Sequence, residues 1–201
     1  EPPLPEPVIP RRPASFDVTF DHVFFSYGSE PADTDALADI CFTARQGEVT
    51  ALVGPSGAGK STVAHLVPRF WNVNMGAIRI GGVDIREMST ADLMDTVAFV
   101  FQDSFLFSDT VYNNIAAGRP GAAPEHVYAA AKAAQCHAFI EKLPQGYDTR
   151  IGEGGVHLSG GEEQRINVAR AILKNAPILV LDEATAFADP ENEYEMQLAL
   201  K

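Results

Sequence analysis

Nine consecutive residues hold the densest chemistry in the chain: Gly54-Pro-Ser-Gly-Ala-Gly-Lys60-Ser61-Thr62. They match the spacing G-x-x-x-x-G-K-[ST], which arises by chance in roughly one per cent of chains of this length. Glycines at 54, 57 and 59 let the backbone N–H groups around Ser56 and Ala58 turn inward as an anion nest, and a following helix aims its positive end at the same point. Lys60 adds a point charge, the Ser61 hydroxyl can ligate Mg2+, and Thr62 completes the motif. The chemistry is that of a nucleoside triphosphate held with its Mg2+.

Two further groups extend this site. Asp182-Glu183 closes the apolar run Ile178–Leu181, and ligands of open α/β sheets lie beyond the carboxyl ends of their strands. From there Asp182 can hold Mg2+ through water, and Glu183 is the natural general base for an attacking water. Leu158-Ser-Gly-Gly-Glu162 reads as a helix start, with Ser159 as N-cap and Glu162 completing a capping box. A helix N-terminus carrying glycines is also a receptor for phosphate.

The elements that must position these groups read as α/β. Phe16, Val18 and Phe20 alternate with Asp17, Thr19 and Asp21, the period of a half-buried strand. Glu48–Gly54 reads as a short apolar strand entering the phosphate loop, and Lys60–Phe70 as a helix that Pro68 ends or kinks. Ala77–Ile80 before Gly81-Gly82 suggests a strand and turn, and Val97–Phe101 a buried strand. Pro124–Leu143 reads as two short helices, so that about 90–156 is a mostly helical insertion. Gly160–Lys174 places Ile166, Ala169, Ile172 and Leu173 on one helical face, and Pro177–Asp182 is a buried strand.

Composition limits the function classes. The chain of 201 residues is long enough for one domain, and 46% apolar with 21% charged residues makes it globular. A net charge of −12 argues against binding a nucleic-acid backbone. The longest uncharged stretch, Val49–Gly59, is far short of the roughly 20 apolar residues of a spanning helix. Six of the 14 prolines fall within the first 13 residues, so 1–15 reads as an extended linker, and Glu1 as the start of an excised or processed piece. Cys41 and Cys136 read as two small buried thiols with no metal-type spacing. His22, His65, His126, His137 and His157 read as structural or solvated.

Phosphate loop, Leu158–Glu162 and acid pair, in this order, resemble the nucleotide-binding domain of ATP-binding cassette (ABC) transporters, over nearly all of 16–201. The resemblance implies an α/β P-loop NTPase fold: a RecA-like core, an antiparallel β subdomain and a helical subdomain. It implies ATP and Mg2+ as ligands, and a second such domain, identical or not, as partner in a head-to-tail dimer. Each ATP is then sandwiched between one phosphate loop and the partner's Ser159, Gly160, Gly161 and Glu162. Gln102, in Val100-Phe-Gln-Asp103, matches the Q-loop residue that touches Mg2+ and couples to the membrane domain through the helical subdomain. Tyr27 matches the aromatic residue that stacks on adenine, and Asp189 the D-loop aspartate that crosses to the partner site. The function implied is a transport motor at the cytoplasmic face of a membrane; the alternative is a soluble ABC ATPase acting on nucleic acid or ribosomes.

Leu106–Val111, Asn114-Ile115 and Thr149–Glu153 resemble the exporter-type branch, and Ala184–Asn192 looks like exporter-fold siderophore transporters. Several positions depart from the family pattern. Arg150, Gly154 and Ala188 stand where other residues are usual, and Glu162, followed by Glu163, stands where Gln is commonest. Two carboxylates beside a triphosphate are expected to point away from it. The switch histidine should follow Glu183 by another helix and strand, beyond Lys201, so this piece is expected to bind Mg-ATP and hydrolyse it poorly.

Overall fold

The computed structural model describes residues 4–28 and 36–182. The chain divides into two compact units, Glu1–Val97 and Ala98–Lys201. The first unit is built on strands β1 (Val18–Phe25) and β2 (Leu37–Ala44), helix α1 (Lys60–Leu66), strands β3 (Met75–Ile80) and β4 (Val83–Asp84), and helix α2 (Thr90–Thr96). Its four strands form an antiparallel sheet in the order β2-β1-β3-β4. The alternation read at Val18 and Phe20 is observed, but the buried parity then shifts to Val23 and Phe25. A bulge at Asp21–His22 causes the shift, because one extra residue turns every later side chain to the other face.

Gly76 makes that bulge possible. It sits opposite the extra residue at φ +80, and a Cβ there would collide with the carbonyl oxygens of His22 and Asp21. Gly76→Ala must therefore pull β3 away from β1 and adopt a strained φ. We expect a loss of about 2–4 kcal/mol in unfolding free energy, measured by urea denaturation, with an unchanged m-value.

Residues 4–15 of the proline-rich start run without regular structure but are tied to the first unit at several points. Arg69 donates to the Pro5 carbonyl at 3.1 Å, and the Thr90 N–H donates to the Glu6 carboxylate at 3.2 Å. The hydrogen bonds from Thr90 hold the Glu6 carboxyl below its usual range. Arg11 pairs with Glu87 at 2.7 Å and Arg12 with Asp92 at 2.8 Å.

One expected element does not form. Residues 49–54 make no strand, and Val49 and Val53 are 76% and 90% exposed. Apolar periodicity says that a segment can be buried, but a strand exists only where another supplies a hydrogen-bonding ladder. Among the described residues none pairs with this one. The thiols also differ from expectation: Cys136 is buried, but Cys41 is exposed because it lies on the outer face of β2.

The second unit contains all but the first residue of β5 (Val97–Val100), then α3 (Val111–Ala116), α4 (Pro124–Ala133), α5 (His137–Ile140), α6 (Gly160–Lys174) and β6 (Ile178–Leu181). Strands β5 and β6 are hydrogen-bonded neighbours, half-buried along β6 rather than fully enclosed. Helix α6 has the extent its periodicity predicts, starting at the Ser159 cap and ending at Asn175 in the left-handed conformation. Its Ile166, Ala169 and Leu173 are buried, with Ile172 partly buried against the same core. α3 and α4 pack on it, and each large aliphatic side chain buried there contributes about 1.5–3 kcal/mol. Among the described residues, no helix is long and apolar enough to cross a membrane.

Candidate nucleotide site

The phosphate loop in the first unit is shaped by glycines that cannot be replaced cheaply. Gly59 caps α1 at φ +83, and a Cβ on it would meet Leu37 Cδ2 at 2.6 Å and the Ala36 carbonyl at 2.8 Å. The start of β2 thus presses on the loop and leaves room only for backbone. Gly57 is also left-handed, at φ +79. No side chain caps the first turn of α1. Lys60 Nζ donates to the carbonyls of Gly54 (3.1 Å) and Pro55 (2.9 Å), which brings the ammonium over the loop. A glycine-rich loop, a helix start and one cation in this sequence suit a polyphosphate.

Tyr27, expected beside adenine, is joined to the same helix. Its hydroxyl lies 2.9 Å from Thr62 Oγ1, and the ring is 57% exposed. Phe25 and Trp71 stand edge-on to it, with centroids at 4.9 and 5.2 Å. The exposed face of the ring is thereby held rigid, as stacking on a flat base requires. Trp71 is a member of this wall that sequence reasoning passed over; the aromatic pair Phe70-Trp71 just after α1 was its signal.

In the second unit the Asp182 N–H donates to the Val100 carbonyl at 3.0 Å. That bond brings the end of β6 beside the end of β5, so buried Asp182 and exposed Gln102 leave the two-stranded sheet at the same end. The segment after Gln102 is then fastened to α6. Arg170 of α6 donates to the Asn114 carbonyl (2.8 Å), the Asn114 side-chain oxygen (3.0 Å) and the Phe105 carbonyl (3.2 Å), and its guanidinium lies over the Phe107 ring. Buried Asn114 exchanges hydrogen bonds with both backbone groups of Phe107. Burial lowers the Arg170 pKa from its ordinary value. The segment around Phe105–Phe107 is thus tied to α6 by hydrogen bonds and the ring contact of Arg170, with Leu106 packed against the same core.

At the start of α6 the capping box is complete. Ser159 Oγ accepts from the Glu162 N–H at 3.4 Å, and Glu162 Oε2 accepts from the Ser159 N–H and hydroxyl, both at 2.8 Å. The Glu162 carboxylate folds back onto Ser159, the capping role its spacing predicts. Burial works to raise its pKa, but the hydrogen bonds from Ser159 and the nearby Arg165 leave it lowered. The charged cap is thus present above the ordinary glutamate range and is lost as pH falls through that lowered value. Glu183 and Asp189 lie outside the described residues.

The family model described as "ABC transporter" matches residues 37–186. The chain is 48% identical over 189 residues to the ATP-dependent lipid A-core flippase of Desulfotalea psychrophila, covering 94% of this chain and 32% of that protein. It is 51% identical over 195 residues to the mycobactin import ATP-binding/permease protein IrtA of Mycobacterium tuberculosis, covering 97% and 22% respectively. It is 49% identical over 183 residues to the putative multidrug export ATP-binding/permease protein YgaD of Bacillus subtilis, covering 91% and 31%. A solved bacterial Atm1-family ABC exporter with ATP bound superposes with a TM-score of 0.89 at 44% identity, covering 96% of this chain and 33% of that one. The chain thus spans a third or less of the length of these relatives.

Proposed function

Because the chain belongs to the ABC transporter family, we propose that it is the ATP-binding and hydrolysing motor of a membrane transporter, working as one half of a head-to-tail pair. The observation that carries this reading is the presence of two anion-receptive helix starts of different character. One, at Gly59, has a lysine folded over it; the other, at Ser159, has a hydroxyl and two glycines, with the Glu162 carboxylate folded onto the cap. A start with a hydroxyl and glycines suits the outer face of a phosphate already held by another domain's lysine and metal.

In this reading Tyr27 stacks on adenine. Gly54, Ser56, Gly57, Ala58, Gly59, Lys60, Ser61 and Thr62 bind the phosphates, and Ser159, Gly160, Gly161 and Glu162 meet the partner's ATP. Ser61, Gln102 and Asp182, the residues assigned to the metal, each offer an oxygen, which suits Mg2+ rather than a softer ion. The ion, when bound, neutralises charge developing on the phosphoryl oxygens. Glu183 orients and deprotonates the attacking water, and Asp189 reaches toward the partner site. Residues 1–15 are the connector from a transmembrane domain at the cytoplasmic face, and Gln102 with the Arg170–Asn114 network passes the nucleotide state toward that domain. The relatives named above include a flippase, an importer and a multidrug exporter, so the cargo is set by residues of the membrane portion.

Sedimentation of the chain with and without Mg-ATP tests the pairing. A dimer is expected only with nucleotide, and a monomer at saturating Mg-ATP overturns the reading. Glu162→Gln sharpens the test. A carboxylate about 5 Å from a γ-phosphate charge repels it by about 3 kcal/mol at an effective dielectric near 20, and solvent and counter-ions reduce this to about 1 kcal/mol. Removing the charge while keeping the hydrogen-bond acceptor should lower the Mg-ATP concentration for half-maximal dimerisation about fivefold.

A further inference from the structure

The inference comes from the face of the sheet where β1 departs from regular pairing. Between Phe20 and Val23 two residues, Asp21 and His22, oppose the single Cys41 of β2. One step further the count reverses, and Ala38 with Asp39 opposes Phe24 alone. These opposed irregularities leave His22 at φ +50 and Asp39 at φ +54, both left-handed and each costing about 1 kcal/mol or more for a residue with a side chain. Bulges of this kind re-aim side chains that a regular ladder would keep apart. Here they converge three different donors on one exposed spot.

His22 Nδ1 is 2.7 Å from Asp39 Oδ1, and Cys41 Sγ is 4.0 Å from the same oxygen. The backbone N–H of His22 donates to Cys41 Sγ at 3.3 Å, which fixes where the sulfur lies. One donor atom from each residue falls within 4.8 Å of the others. We propose that His22, Asp39 and Cys41 form a surface site for a single Zn2+-class ion, with imidazole nitrogen, carboxylate oxygen and thiolate sulfur at three corners of a tetrahedron and water at the fourth.

Zinc bonds of about 2.0–2.3 Å place tetrahedral donor atoms about 3.3–3.7 Å apart. The nitrogen–oxygen pair must open and the sulfur–oxygen pair close by about half an ångström each. All three side chains are exposed, so rotation about their χ angles supplies this without moving the sheet. A thiolate with an imidazole is a poor donor set for Mg2+ and a good one for Zn2+ or Co2+, so the site is chemically distinct from the nucleotide site. On binding, the Cys41 thiol loses its proton to solvent as the metal–sulfur bond forms. An ion here would tie β2 across the bulge of the strand that leads directly to Tyr27.

The test is a titration of the 201-residue chain with Co2+, free of nucleotide, followed by absorption. We expect one Co2+ per chain with a thiolate-to-cobalt charge-transfer band, displaced by Zn2+ and not by excess Mg2+. Cys41→Ser should abolish the band and Cys136→Ser should preserve it, because Cys136 is enclosed and burial pushes its thiol up to about 12. His22→Asn and Asp39→Asn tolerate the left-handed backbone, so they should keep the far-UV spectrum while weakening binding at least about tenfold. Zn2+ should also slow alkylation of Cys41 in the parent chain. Absence of the band, its survival in Cys41→Ser, displacement by Mg2+, or unchanged affinity in both asparagine variants overturns the proposal.

Discussion

Lys60→Ala is expected to weaken Mg-ATP binding by about 10²- to 10³-fold, measured by calorimetric titration. Two losses add together. The ammonium is the one side-chain cation that the loop itself folds over its concavity, and withdrawing a partner from a charge pair shielded from bulk water costs about 3–5 kcal/mol. Its hydrogen bonds to Gly54 and Pro55 also strut the loop, so the amide nest loses some of its shape with the side chain. Lys60→Arg separates the two contributions. It keeps the charge, but a planar guanidinium on a different stem cannot make the same two carbonyl contacts, so about a tenfold loss should remain. Thermal unfolding without nucleotide should change little, since the residue is only partly buried. Affinity within threefold of the parent for Lys60→Ala would mean that the triphosphate is bound elsewhere.

How far the sequence foretold this site depends on the range of each interaction. The start of α6 was legible to the residue because a capping box is local: Ser159 and Glu162 are three positions apart and bond only to each other and the first turn. The turn of the phosphate loop was legible in part: Gly57 and Gly59 are left-handed within it, but the closeness of Leu37 and Ala36 to Gly59 comes from outside the loop. The strand expected at 49–54 failed because its ladder must come from outside the segment, which periodicity cannot supply. The parity change at His22 was also invisible: nothing in Asp21-His22-Val23 announces an extra residue, and only the approach of Gly76 across β3 accounts for it. That hidden bulge is why two residues read as a structural or solvated histidine and a buried thiol stand together on the surface.

Glu183→Gln is expected to leave Mg-ATP affinity within about threefold of the parent while lowering hydrolysis about 10²- to 10⁴-fold, the range a positioned general base supplies. Single-turnover measurement, with protein in excess over labelled ATP, reads the chemical step even where steady-state turnover is slow. Glutamine keeps the volume and the hydrogen-bond acceptor but cannot take the proton of the attacking water, so binding and chemistry should separate cleanly. Coupling to assembly makes the test stronger. If ATP closes the pair and hydrolysis reopens it, a variant that cannot hydrolyse should accumulate as an Mg-ATP-bound dimer that persists through gel filtration. The neighbouring Asp182→Asn should behave differently, because that buried carboxylate is assigned to the metal: its loss should weaken the response to Mg2+ before it alters proton transfer. A Glu183→Gln chain that hydrolyses at the parent rate would move the base to another residue, while one that fails to bind ATP would place Glu183 in the binding surface instead.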